Sequence, residues 1–131
     1  MLVVDTNVLV SGLLNPFGKP GAVVNQLLSG AVRVAYDDRM LIEYTEVLSR
    51  PRFGFKESEI ERLLAIFPFQ ELVVAAPWRH PPSPDPCDTM FLEVAEASGA
   101  ILVTGNLKHF PEECRGPVIV MTPAQWLVVR R

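Results

Sequence analysis

Residues 2–14 read LVVDTNVLVSGLL, and this stretch decides the fold class. Leu2 to Val4 reads as a short buried strand that breaks at Asp5-Thr6-Asn7, and Val8 to Leu14 then continues as a helix. The same alternation of short apolar runs with longer amphipathic segments recurs down the chain, which is the pattern of a parallel α/β domain. Ala22 to Leu28 is helical until Gly30 stops it, and Arg33 to Tyr36 forms a second strand. Asp37 or Asp38 caps a helix running to about Ser49, with Met40, Leu41, Tyr44, Val47 and Leu48 on one face. A helix from Ser58 to about Phe67 leads to a third strand at Leu72 to Ala75.

The run from Pro77 to Pro86 is a loop, since Pro77, Pro81, Pro82, Pro84 and Pro86 rule out regular structure there. A helix over about Cys87 to Ser98 follows and ends at Gly99. Strands at Ile101 to Thr104 and Val118 to Met121 come next, and Thr122-Pro123 caps a last helix bearing Trp126 and Leu127. No repeat, low-complexity tract or linker interrupts the series, so the expectation is one domain over residues 1–131.

Composition agrees. The 131 residues are 49% hydrophobic and 21% charged, which excludes a disordered chain. A net charge of −3 argues against a strongly basic or membrane-surface binder. It leaves nucleic acid open, because a bound metal supplies charge that no residue count includes. Cys87 and Cys114 form no disulfide framework, and the apolar opening carries Asp5 and Asn7 with no basic leader. These features predict a reduced, cytoplasmic protein without a transmembrane span.

Ligands of open parallel sheets bind at the carboxyl ends of strands. Asp5, Asp37/Asp38 and Thr104-Gly105-Asn106 fall at such ends, Glu43 lies one turn into a helix, and Asp88 begins another. A small sheet brings Asp5, Glu43, Asp88 and Asn106 to one edge, where three carboxylates and an amide suit Mg²⁺ or Mn²⁺. Each residue also has an ordinary structural reading. Asp5 can cap the first helix, Glu43 with Glu46 can form a solvated face, Asp88 can answer the helix dipole, and Asn106 can cap a turn. An acid inside an apolar stretch is nevertheless costly unless paired or metal-bound. His80, Cys87, His109 and Cys114 lack the paired spacing of a structural zinc site.

Four segments taken together resemble the PIN domain: LVVDTNVLVSGLL (2–14), MLIEYTEVLSRPRF (40–53), DPCDTMFLEVAEASGA (85–100) and ILVTGNLKHFP (101–111). The nearest subgroup by this resemblance is the bacterial toxin-component type related to VapC toxins. The resemblance implies a three-layer α/β/α sandwich with a central parallel sheet of about five strands, and a metal-dependent ribonuclease. It matches Asp5, Glu43 and Asp88 to the family's metal-binding acids, and Asn106 to the place where many relatives carry a fourth acid. An amide there brings no charge. A second departure is Cys87-Asp88-Thr89, where relatives often have further acids or amides; Asp85 either replaces that charge in part or, with Pro86, only makes a turn.

Through the resemblance, Asp5, Glu43 and Asp88 would hold Mg²⁺ or Mn²⁺ for attack of an activated water on phosphorus, leaving 5′-phosphate and 3′-hydroxyl products. Thr6, Asn7, Asp85 and Thr104 are expected to orient these carboxylates. Arg50, Arg52, Lys56, Lys108 and His109 are the candidate RNA phosphate contacts, with Phe53, Phe55 and Phe110 for base stacking; the alternative is a solvated surface over core aromatics. A toxin would bring a cognate antitoxin and a homodimer as partners. A PIN scaffold that has lost catalysis and binds RNA or protein is the alternative that Asn106 keeps open. A receiver domain fails for want of paired acids after the first strand and a Lys in MTPAQW, and a dinucleotide binder fails because DTNVLVSG lacks G-x-G-x-x-G.

Overall fold

The computed structural model describes residues 1–130. In chain order the regular elements are β1 (Leu2–Val4), α1 (Thr6–Leu14), α2 (Lys19–Leu28), β2 (Ala35–Tyr36), α3 (Asp38–Leu48), α4 (Glu57–Leu64), β3 (Glu71–Leu72), α5 (Thr89–Ser98), β4 (Ile101–Val103), β5 (Val120–Met121) and α6 (Pro123–Val129). The fold is α/β, a parallel sheet flanked by helices, as the alternating pattern predicts. Where about five strands were expected in one sheet, the ladder holds three, in the order β1-β4-β5. A separate parallel pair, β2-β3, meets it at a single bridge between Leu2 and Val34. With strands of only two or three residues, one rung is all that joins the two ladders.

Local chemistry explains the boundaries. Asp37 caps α3 by accepting from the Met40 amide at 3.0 Å, and the i, i+4 stripe Met40, Tyr44, Leu48 is then buried. α5 buries Phe91, Leu92, Val94 and Ala95 against β1, β2 and β4. It stops at Gly99, whose φ of 70° suits the left-handed cap that a side chain would resist. α4 ends at Leu64, earlier than the expected Phe67, and Phe67-Pro68-Phe69 tightens into a 3-10 turn. That turn drives Phe67 into the core against Tyr36 and Tyr44, with ring centroids 5.2 and 5.3 Å away. The third strand is shorter than its apolar run suggests. Val73 still donates to the Tyr36 carbonyl at 2.8 Å, but Val74 is 97% exposed and Pro77 closes the segment. No helix among the described residues is long and apolar enough to cross a membrane.

The strand order has one consequence for function. From β1 the chain moves outward through β2 and β3, then returns to place β4 on the other side of β1. The connections therefore diverge between the carboxyl ends of β1 and β4, and such a divergence leaves a crevice at the sheet edge. The residues that follow these two strands are Asp5 and Thr104.

Candidate active site

Asp5 follows β1 directly, with its amide donating to the Val103 carbonyl of β4 at 2.9 Å. It occupies the N-cap position of α1, yet its side chain makes no capping bond. The carboxylate turns instead toward the crevice, where Oδ2 accepts from the Thr104 hydroxyl at 2.8 Å. Asp5 is 5% exposed. Burial pushes its carboxyl above the ordinary range, opposed by the Thr104 bond and reinforced by the charge of Glu43.

Glu43 is brought in by α3 and is half-buried. The Thr6 hydroxyl, at the start of α1, donates to its Oε2. Its neighbour Tyr44 is fully buried and donates its hydroxyl to the carbonyl of Val4, the residue before Asp5. Burial first, then the charges of Asp5, Glu43 and Asp37, hold the Tyr44 phenol well above its ordinary pKa, so it stays a donor. The sequence marks Tyr44 only as a member of an apolar stripe. Its spacing with Met40 and Leu48 hides the polar task of tying α3 to the end of β1.

Asp88 closes the 3-10 turn Pro86–Asp88 and stands at the N-cap position of α5 without a side-chain cap bond. Its Oδ2 is buried and has no hydrogen-bond partner. His109 Nδ1 faces that oxygen at 3.7 Å. Burial, followed by the charge of Asp5, pushes the Asp88 carboxyl from 3.8 to about 6; His109 acts against the rise, and Asp85 and Glu43 add to it. The charges of Asp5, Glu43 and Asp88 thus act on one another at this edge of the sheet.

The surrounding residues divide by role. Asn7 Oδ1 accepts from the Gly105 amide at 2.9 Å, which pins the loop after β4 to α1. Asn106 Oδ1 accepts from the Lys108 amide at 3.1 Å and caps the turn Leu107–His109. Asp85 Oδ1 accepts from the Cys87 amide at 2.9 Å, so its nearest task is the turn that presents Asp88. Arg39 fastens α3 to α5, with guanidinium nitrogens 2.6 Å from Asp37 Oδ2 and 2.8 Å from Glu93 Oε1. Glu93 also accepts from the Trp78 amide at 2.8 Å and so straps the proline-rich loop to α5.

The basic residues fall into two groups. Lys108 and His109 lie on the turn after β4, and of the two it is His109 that stands beside Asp88. Arg50, Arg52 and Lys56 lie past the end of α3, on the chain that leaves the helix beyond Glu43. Arg50 is paired with Glu46 at 2.8 Å, and Arg52 lies over the Phe53 ring at 4.8 Å. Phe53 and Phe55 stack at 5.7 Å and are half-buried, whereas Phe110 is wholly buried and unavailable to a base.

Among the described residues, no three acidic, histidine or cysteine side chains stand close enough, as they lie, to close on a metal ion. The donor set nevertheless fits a hard divalent cation. Two buried carboxylates are pushed toward protonation by burial and mutual repulsion, and one buried oxygen has no partner. A countercharge in the crevice answers all three observations.

One expected result needs no metal. An aspartate whose folded pKa is raised to about 6 favours folding below about 3.8 and loses that contribution as pH rises through about 6. In EDTA, Asp88→Asn is therefore expected to melt higher than wild type at pH 7 to 8, by about 1–2 kcal/mol after solvent screening is allowed for. The difference disappears near pH 4. Thermal melts across that range check it, and an equal or lower melting temperature for the variant at pH 8 would contradict the burial argument.

A family model described as PIN domain matches residues 1–108. An uncharacterized protein of Methanocaldococcus jannaschii is 26% identical over 117 residues, covering 80% of this chain and 70% of that protein. No solved structure matches.

Proposed function

Since the chain belongs to the PIN-domain family, whose members are generally nucleases, we propose that it is a Mg²⁺- or Mn²⁺-dependent ribonuclease acting at Asp5, Glu43 and Asp88. The observation that carries this reading is the buried Asp88 Oδ2, which has no hydrogen-bond partner and lies near enough to Asp5 for the two charges to interact. Bound there, a divalent ion supplies charge against the phosphate and lowers the pKa of a water molecule. The Thr104 and Thr6 hydroxyls hold the Asp5 and Glu43 carboxylates in orientation. Asn7 keeps the loop after β4 in place, and Lys108, exposed on the turn that follows, is the proposed phosphate contact. Arg52 and the stacked pair Phe53 and Phe55 offer a second contact farther along the strand of RNA.

The VapC-type resemblance extends the proposal to a toxin working as a single domain over residues 1–131. Its partners are then a cognate antitoxin and a second copy of the chain, and its products carry 5′-phosphate and 3′-hydroxyl ends. The test is cleavage of end-labelled single-stranded RNA by metal-stripped protein in EDTA, Mg²⁺ or Mn²⁺. Cleavage is expected only with metal, and saturating metal is expected to raise thermal stability by about 2–3 kcal/mol at a hundred times its dissociation constant. Cleavage that persists in EDTA, or folded protein that neither cleaves any of several RNAs nor gains stability with either metal, refutes the proposal.

A further inference from the structure

The chain has two histidines, and they occupy different surroundings. His80 packs against Trp78 with ring centroids 4.6 Å apart, and its Nε2 lies 2.6 Å from Glu96 Oε2 along α5. His109 ends the turn Leu107–His109, beside the crevice. Its Nδ1 stands 3.7 Å from Asp88 Oδ2, the buried oxygen that has no hydrogen-bond partner. That separation is too long for a hydrogen bond. Two donor atoms flanking one ion at bond lengths near 2.1 Å stand about 3.0–3.4 Å apart, so a small turn of the ring brings Nδ1 and Oδ2 to a spacing that one ion can share. The side chain of Asn106, which opens the same turn, is engaged elsewhere, since its Oδ1 accepts from the Lys108 amide. The effect of that cap is to wind the turn so that His109 follows Asn106 around toward Asp88.

Resting on the metal-dependent reading above, we propose that His109 is a ligand of the same divalent ion that Asp88 holds. The centre is then carboxylate oxygens with one imidazole nitrogen, not an all-oxygen cage. Imidazole favours the first-row transition ions over Mg²⁺, so the site is tuned toward Mn²⁺ and its heavier neighbours. His109 is half-exposed, which leaves the ring free to turn onto the ion without disturbing the core.

The presence of only two histidines makes the test specific. Mn²⁺ is added to metal-free protein, and pulsed electron paramagnetic resonance reads whether a ¹⁴N nucleus couples to the bound ion. Coupling is expected in wild type and in His80→Gln, and it is lost in His109→Gln. Mn²⁺ affinity is expected to fall about ten- to a hundredfold in His109→Gln, with a smaller change for Mg²⁺. Mn²⁺ bound to wild type without nitrogen coupling, or coupling that survives in His109→Gln, overturns the role of His109 and leaves the carboxylate site standing. Folded protein that binds no Mn²⁺ overturns both.

Discussion

Replacing Asp5 by Asn is expected to cut metal-dependent RNA cleavage about a thousandfold while leaving the protein folded. The size follows from charge. Removing one carboxylate from a metal centre forfeits several kcal/mol of transition-state stabilisation, and each 1.36 kcal/mol is about a tenfold change in rate. The fold should survive because Asn is nearly the shape of Asp and still offers an oxygen to the Thr104 hydroxyl. Stability at neutral pH should hold or rise. The Asp5 carboxyl is buried and its pKa raised, so its protonated form favours folding at low pH and that contribution is lost as pH increases. A neutral amide does not titrate. Cleavage rates and melting curves of the two proteins, measured side by side with and without Mn²⁺, separate lost chemistry from lost structure. Wild-type cleavage by Asp5→Asn would remove Asp5 from the site.

Gly21→Ala is expected to destabilise the protein strongly, against the usual preference for alanine in helices. In a helix interior, Gly to Ala ordinarily gains about 1 kcal/mol. Gly21 lies in α2 and is buried. A Cβ placed there would sit 2.3 Å from the Pro16 carbonyl oxygen, 2.5 Å from its carbonyl carbon and 2.7 Å from the Asn15 oxygen. All three are backbone atoms of the loop joining α1 to α2, so no side chain can swing aside. Relief requires the loop to move, at a cost of about 3 kcal/mol. For a chain of this length that lowers the melting temperature by about 10 °C. A variant that melts at or above wild type would show that the α1–α2 connection is looser than this close approach implies.

Much of this was legible in the sequence because short-range chemistry dictated it. The apolar triplet Leu2–Val4, the cap at Asp37, the stripe Met40-Tyr44-Leu48 and the stop at Gly99 each depend on neighbours a few positions away. Strand ends and helix starts also bring Asp5, Glu43 and Asp88 near enough for their charges to interact, and their role as a site rests on the proposal above. Several features were not legible. Nothing local states that β2-β3 would join β1 through a single rung, because strand pairing is decided by distant chain. The Arg39 bridge to Glu93 spans 54 positions, and the Thr6 bond to Glu43 spans 37. His109 looked like one member of a basic group until the fold turned it toward an oxygen 21 positions earlier in the chain.

The pairing of β1 with β4 also sets a schedule. Leu2 pairs with Ile101, and Thr104 bonds to Asp5 across 99 positions. On a ribosome adding about 5–20 residues per second, the first strand waits about 5–20 s for its partner to be made. Until then its three apolar residues have no ladder to join, and Asp5 has no opposite wall. The two walls of the site therefore meet only after β4 and Thr104 have been made. Until Thr104 has been made, the Asp5 carboxylate has no hydroxyl to orient it, so any chemistry centred on Asp5 stays silent on the nascent chain.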